Sequence, residues 1–159
     1  MSFSFFDFLF NNLYTKTDND SRFLIMIKFS KKSQYGLVAM IYLAKAFQKE
    51  GEYSSLREIS KKKNISFNYL EKILLKLEKS DLIKSKKGVK GGYRLEKGPE
   101  KIKIGEVVKT LEGSTHVIDC IQEQCSRKES CKAVKVWKKV QKALDKALNS
   151  ITLKSLIKK

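Results

Sequence analysis

The sequence predicts a mainly α-helical domain that carries one small β-hairpin. Several segments repeat apolar residues at the three- and four-residue spacing of helices that bury one side. Residues 82–95 instead form two short strand-like runs around a glycine-rich centre. At 159 residues, the chain can bury enough surface to fold without disulfides or metal. We therefore expect one domain, or one small domain with an appended element.

The first predicted helix runs from Ser33 to Gln48 and is apolar on most of its faces. A helix that is apolar all round is buried, either at the centre of a domain or between subunits. Gly51 is expected to end it.

Two short helices follow, joined by a tight turn. Ser55 and Glu58 have the spacing of a capping box and open the first helix, which extends to the lysine run 61–63. Asn64 makes the turn, and Ser66 is predicted to cap the second helix. The inward stripe of that helix consists of Leu70, Ile73, Leu74 and Leu77. The pair is a helix-turn-helix candidate, although many helical hairpins bind nothing.

A basic, glycine-rich hairpin is predicted directly after these helices. Its strands flank residues 88–92, where the glycines allow the backbone to approach a phosphate or a minor groove closely. No acidic residue interrupts its cations, which are Lys84, Lys86, Lys87, Lys90 and Arg94. This position and charge indicate a wing, so the predicted fold is a winged helix-turn-helix. The alternative is an ordinary exposed hairpin that lysines keep in solution.

The C-terminal part begins at Pro99 and is predicted to hold two further helices. The first ends at Gly113, and its stripe consists of Ile104, Val107, Val108 and Leu111. The second is long and basic, with an apolar side that consists of Val134, Trp137, Val140, Leu144, Ala147 and Leu148. Thr152 is expected to cap a last short turn. Because a small winged-helix core cannot cover so long a stripe, we expect a dimerisation helix. The alternative is packing on the first helix of the same chain.

These elements divide the chain into residues 1–25, 26–98 and 99–159. The middle part is the predicted DNA-binding domain, and the last part holds the cysteines and the dimerisation helix. Residues 1–25 are rich in phenylalanine and lack the charged start and cleavage site of a signal peptide. We expect a disordered extension without a function of its own, with translation starting at Met26. A membrane-surface anchor is the alternative.

Charge narrows the choice of function. The chain has 34 Lys and Arg against 17 Asp and Glu, a formal net charge of +17. This balance favours a polyanionic partner, either nucleic acid or an acidic membrane surface. No apolar run is long enough to span a membrane. A single histidine and the lack of a phosphate-cradling glycine motif argue against an enzyme. A lysine-rich solvated surface is the alternative to a binding role.

The three cysteines of the chain are Cys120, Cys125 and Cys131. An odd number of thiols without a secretory signal indicates a reducing, cytoplasmic location. Their spacing suits a loop that wraps around an iron-sulfur cluster. Structural zinc more often uses tighter cysteine pairs. We expect a metal-binding or redox-sensing site, with a cluster-free thiol sensor and a zinc site as alternatives.

One known family is similar to this chain in several stretches: KSQYGLVAMIYLA at 32–44, ISFNYLEKILLKLEKSDLIKSKKGVKGGYRL at 65–95 and ITLKSLI at 151–157. With the cysteine loop, these stretches resemble the IscR/NsrR-type winged-helix transcription regulators, over about residues 26–156. The resemblance implies a homodimer that binds a palindromic operator in double-stranded DNA. Many members of this family hold an iron-sulfur cluster on the cysteine loop, and this cluster tunes their DNA affinity. The resemblance therefore implies a 2Fe-2S or 4Fe-4S cluster here.

The resemblance also assigns residues to roles. By position, the base readers fall on Asn68 and Glu71, and the cation that enters the minor groove falls on Lys87. Asparagine pairs well with adenine, glutamate accepts from cytosine, and a cation suits a narrow, negative groove. The remaining expected DNA contacts are Ser66, Tyr69, Lys72, Lys76, Lys86 and Lys90, with residues 61–63 flanking them.

The fourth ligand of the implied cluster is not identified. One branch of the family uses a histidine three residues after the third cysteine, and another uses a carboxylate near the start of the partner's first helix. Val134 and Gln34 stand at these positions here. The open candidates are Gln34, Asp119, Glu123, Glu129, His116 and a small exogenous ligand. We expect a repressor whose operator affinity depends on the cluster or on the redox state of the thiols. A cluster-free thiol or zinc-dependent regulator is the alternative.

Overall fold

The structure is a computed structural model that describes residues 29–49, 52–114, 116 and 131–157. Its helices are α1 (Lys31–Phe47), α2 (Leu56–Lys63), α3 (Phe67–Glu78), α4 (Ile104–Glu112) and α5 (Ala133–Ser150). Its strands are β1 (Ile83–Lys86) and β2 (Gly92–Leu95), and short 3₁₀ helices span Pro99–Lys101 and Leu153–Leu156. The predicted mainly α winged helix-turn-helix is therefore confirmed.

Helix α1 forms the centre of the domain. Its side chains pack against α3, α4 and β2, and Met40 and Ala44 are completely buried. Gly36 permits the crossing with α4, because a Cβ at this position would lie 2.1 Å from Leu111 Cδ1. The Ser30 hydroxyl caps α1 by accepting from the Ser33 N–H at 3.3 Å. The prediction of a buried central helix is correct.

The turn between α2 and α3 has the predicted geometry. The Ser55 hydroxyl accepts from the Glu58 N–H at 3.1 Å, and Asn64 adopts a left-handed conformation with φ of 51°. The prediction that Ser66 caps α3 is wrong for its side chain: it occupies the N-cap position but makes no capping hydrogen bond. The stripe Leu70, Ile73, Leu74 and Leu77 is buried, as predicted.

Helix α5 packs against α4. Gly105 permits this approach, since a Cβ there would lie 2.5 Å from Asn149 Oδ1. The alternative of packing chiefly on the first helix is therefore wrong. Thr152 caps the last turn through Ser155 N at 3.4 Å, as predicted. Beyond α5, the Leu153 N–H donates to the Ile102 carbonyl at 2.8 Å and fixes the C-terminal turn on the domain.

Candidate nucleic-acid interface

One face of α3 is polar and exposed. Asn68, Glu71, Lys72 and Lys76 are exposed, whereas the apolar stripe on the opposite side is buried in the core. This arrangement follows from the helical period, because residues three and four apart share a side. The structure thus brings the two predicted base readers and two predicted phosphate contacts to a single surface.

Tyr69 and Ser66 lie at the border of this surface. The Tyr69 ring is half-buried and packs edge-to-face on Tyr35 of α1, with 5.9 Å between ring centroids. A half-buried tyrosine combines an apolar ring that packs in the domain with a hydroxyl that can form a hydrogen bond. Ser66 is exposed at the start of α3.

The wing is an antiparallel hairpin that is anchored to the chain segment before α2. Strands β1 and β2 pair from Ile83 opposite Leu95 to Lys86 opposite Gly92. The backbone of Ser54 adds a further rung: its N–H donates to the Tyr93 carbonyl and its carbonyl accepts from the Tyr93 N–H, both at 2.9 Å. Gly92 has φ of 145°, and a Cβ there would lie 2.4 Å from the Ser54 carbonyl oxygen. Only glycine allows this approach.

The cations of the wing divide into two groups. Lys84 pairs with Glu96 at 3.1 Å, and the half-buried Arg94 lies over the Tyr53 ring with its guanidinium carbon 5.1 Å from the centroid. Lys86, Lys87 and Lys90 are exposed. The exposed set is the one predicted to contact DNA, and within it Lys86 also contacts the Tyr53 ring. Lys84 and Arg94 are less exposed and make contacts within the domain.

Tyr53 was missed by reasoning from the sequence. Lys86 Nζ also lies over its ring, 5.9 Å from the centroid, so Tyr53 contacts cations from both strands of the wing. Cation–π contacts of this kind hold flexible cationic side chains in place. The available signal was an aromatic residue beside the serines that precede α2, but its distance from the wing in sequence concealed the pairing.

Helix α3 and the wing are joined at the C-terminal end of the helix. The Glu78 carboxylate accepts from the Ser85 N–H at 3.2 Å and from the Ser85 hydroxyl. Tyr93 lies in the same region. Its partial burial raises the pKa of the phenol above 10.0, and the charges of Glu78 and Glu71 raise this pKa further. The two predicted DNA-contacting parts are therefore adjacent.

A polar cluster joins α1 to α2. The Tyr42 hydroxyl donates to Glu58 Oε1 at 2.6 Å, and Lys62 Nζ contacts the same carboxylate at 2.9 Å. Two hydrogen bonds lower the pKa of Glu58. The one from Tyr42 has the larger effect, and the one from Lys62 has the second largest. The Ser55 backbone also bonds to the Glu58 carboxylate, as the predicted capping box requires, and Tyr42 connects the same carboxylate to α1. Lys62, expected to flank the DNA, is engaged in this cluster.

Of the predicted cysteine site, the structure describes Cys131. Its thiol is half-buried and free, and its carbonyl accepts from the Val134 N–H at 3.3 Å at the start of α5. Cys120, Cys125, Asp119, Glu123 and Glu129 lie outside the described residues. Among the residues that are described, no three His, Cys, Asp or Glu side chains are grouped closely enough to hold a metal ion.

The candidate fourth ligands that are described have other contacts. His116 Nδ1 lies 2.6 Å from the Ser114 hydroxyl, and the Gln34 amide donates to the Phe29 carbonyl at 3.0 Å. Val134 is buried, with 5% of its surface exposed. The half-buried Cys131 thiol is chemically suited to an iron-sulfur cluster. Of the three cysteines in the implied ligand set, Cys131 is the one that lies within the described residues.

Comparisons with known proteins agree with this geometry. A family model described as "Rrf2: Iron-dependent Transcriptional regulator" matches residues 29–159. The solved structure of CymR (YrzC), the global cysteine regulator of B. subtilis, is similar with a TM-score of 0.68 and 33% identity, covering 82% of this chain and 96% of that chain. The structure of T. potens IscR has a TM-score of 0.64 and 36% identity, covering 82% and 86% of the two chains. The transcriptional regulator NsrR of Halalkalibacterium halodurans is 34% identical over 128 residues, which are 79% of this chain and 86% of NsrR.

None of the helices in the described ranges combines the length and apolar character needed to cross a membrane. The relatives are transcriptional regulators and not enzymes, in agreement with the prediction from the sequence.

Proposed function

Because the chain belongs to the Rrf2 family of transcriptional regulators, we propose that it binds a palindromic operator in double-stranded DNA as a homodimer and represses transcription. One observation carries this proposal: the exposed polar face of α3 lies beside a wing whose exposed cations are Lys86, Lys87 and Lys90. A helix of this width fits the major groove, while the wing reaches an adjacent groove.

The proposed contacts separate into two kinds. Asn68 and Glu71 carry hydrogen-bonding groups that match adenine and cytosine edges, so they would read sequence. Lysines at 72, 76 and 90, with the hydroxyls of Ser66 and Tyr69, would bind phosphates and set the position of the protein. Lys87 at the tip would enter the minor groove, whose negative potential is strongest where the groove is narrow.

The partly exposed apolar side of α5 supports a homodimer. Val136 is 58% exposed, and Trp137, Val140 and Leu144 are only half-buried within one chain. Contact between two such helices would remove apolar surface from water and is favourable. A two-fold dimer would also place two copies of α3 on the two half-sites of a palindrome.

We propose that an iron-sulfur cluster held by Cys120, Cys125 and Cys131 gates operator binding in the cytoplasm. The position of Cys131 at the start of α5 supports a coupling between the cysteine site and the DNA-binding domain. Helix α5 packs on α4, and α4 packs on α1 and α3 of that domain. A bound cluster would supply a redox-sensitive and oxygen-sensitive group with its own charge. A cluster-free thiol or zinc-dependent regulator is the second candidate. The side chain of Val134 has no donor atom where one branch of the family has a fourth ligand, which favours the metal-free thiol form of this candidate.

Two measurements test these proposals separately. Selection of duplexes from a random DNA library by the full-length protein should enrich a palindromic sequence. Failure to enrich any sequence, with anaerobic and aerobic protein alike, would reject operator binding. Anaerobically purified protein should contain iron and sulfide, and removing them should change affinity for the selected duplex at least severalfold. Zinc without sulfide, or a metal-free protein that responds to thiol oxidation, would instead support the second candidate.

A further inference from the structure

Large apolar side chains are exposed at the proposed interface. In the part of the chain that the structure describes, the exposed large hydrophobic residues are Phe67, Leu75, Val89 and Val136. Phe67 and Leu75 are on α3, and Val89 is at the wing tip. Three of the four therefore lie on the surface that we propose faces DNA. Exposure of large apolar side chains to water is unfavourable, so a cluster of them indicates a contact surface.

Phe67 is distinct among them because of its place on α3. It is the first residue of the helix and is 44% exposed. Tyr69, two positions further on, is among the half-buried residues packed against the core, whereas Phe67 keeps 44% of its surface exposed. Packing within the chain therefore accounts for only part of this aromatic side chain.

The neighbours of Phe67 are the proposed base readers. Asn68 is adjacent in sequence, and Glu71 lies one helical turn further along the same side. In helix-turn-helix proteins the N-terminal residues of the second helix contact the base edges. Phe67 would therefore enter the major groove together with Asn68 and Glu71.

The chemistry of the groove restricts what the ring can contact. Base edges in the major groove present hydrogen-bond donors and acceptors, except for the C5 methyl group of thymine, which is apolar. We propose that Phe67 is a specificity-determining residue that contacts the methyl group of a thymine in each half-site. This inference deepens the proposed function and rests on it.

Deoxyuridine provides the test, because it lacks the methyl group and keeps the pairing of thymine. Each thymine of the selected duplex is replaced in turn by deoxyuridine, symmetrically in both half-sites, and affinity is measured by fluorescence anisotropy. At one position, the wild-type protein should bind the deoxyuridine duplex about fourfold more weakly for each half-site. This is the loss expected when the burial of one methyl group is removed. Phe67→Ala should bind the thymine and deoxyuridine duplexes equally at that position.

Leu75→Ala is the matched control, because Leu75 is 45% exposed on the same helix but two turns further on. It should retain the preference for thymine at the position that Phe67→Ala loses. The thermal midpoint of Phe67→Ala should stay close to that of the wild type, which separates a lost contact from a disturbed fold.

The outcomes distinguish this inference from the proposal on which it rests. A wild-type protein that selects an operator but tolerates deoxyuridine at every position would overturn the role of Phe67 and leave operator binding intact. The same conclusion follows if Phe67→Ala keeps the full preference for thymine. A wild-type protein that selects no sequence would overturn operator binding itself.

Discussion

The carboxylate of Glu78 accepts two hydrogen bonds from Ser85, one from its backbone N–H at 3.2 Å and one from its hydroxyl. Glu78 is the last residue of α3, and Ser85 is in the first strand of the wing. This contact sets the position of the wing relative to the helix. In the proposed complex the two parts occupy adjacent grooves at the same time, so their relative position should affect affinity.

Replacement of Glu78 by alanine should therefore weaken operator binding. A hydrogen bond of this kind contributes roughly 1 kcal/mol, which corresponds to about fivefold in affinity. Glu78→Gln keeps an acceptor oxygen and should restore most of the affinity. The comparison is made by anisotropy on the selected duplex at constant salt. Equal losses for both variants would show that the hydrogen bond to Ser85 is not responsible, because only Glu78→Gln keeps an acceptor oxygen.

Gly92→Ala should destabilise the wing more than Gly88→Ala. Both glycines have positive φ, 145° and 106°, which L-residues adopt at a cost of about 1–3 kcal/mol. At Gly92 the new Cβ would also meet the Ser54 carbonyl oxygen, whereas at Gly88 nothing lies within 4 Å. We expect a loss of about 3 kcal/mol for Gly92→Ala and about 1 kcal/mol for Gly88→Ala, from chemical denaturation. Similar losses at both sites would contradict the close approach to Ser54.

Substitutions on α3 should separate base reading from phosphate binding. Asn68→Ala should cost about 1–3 kcal/mol on the operator and little on random DNA. Lys72→Ala should weaken binding to both, and the slope of log affinity against log salt should fall by about one for each half-site that the dimer occupies. Titrations over a range of salt concentrations with both duplexes give these values. Equal losses on both duplexes for Asn68→Ala would remove it from the base readers.

Glu112 should make the stability of the domain depend on pH. Its carboxylate accepts from the Ser30 N–H at 2.9 Å and from the Ser30 hydroxyl at 2.8 Å, at the start of α1. Partial burial raises the pKa of Glu112, but the hydroxyl of Ser33, both groups of Ser30 and the charge of Lys32 outweigh it and hold this pKa below 4.5. A lowered pKa in the folded state means that the stabilisation is complete above 4.5 and is lost as pH falls through the folded value.

The expected loss at low pH is on the order of 1 kcal/mol, because the carboxylate is only partly buried. Denaturation of the wild type and of Glu112→Gln between pH 6 and pH 3 measures it. The variant should be less stable at pH 6, and the difference should shrink toward pH 3. A difference that is constant over this range would exclude the ionised carboxylate as its cause.

Local patterns in the sequence were sufficient to predict the elements of the fold. The stripe of α3, the Ser55 and Thr152 caps, and the left-handed turn at Asn64 all depend on residues within a few positions of one another. Such features follow from the helical period and from the backbone groups left unpaired at helix ends. The prediction for Ser66 failed because a capping residue type at the right place does not ensure that its side chain makes the bond.

The sequence by itself indicated the family through its resemblance to known regulators. Periodicity, turn residues and charge, which are local properties of the chain, predicted the winged helix-turn-helix and the polar face of α3. The tertiary structure alone decided which side chains meet across elements. It paired Glu78 with Ser85, Glu58 with Tyr42, and Arg94 with Tyr53. It also left Phe67 exposed beside Asn68. These relations depend on how the helices cross and where the hairpin lies, and packing of the whole core sets both.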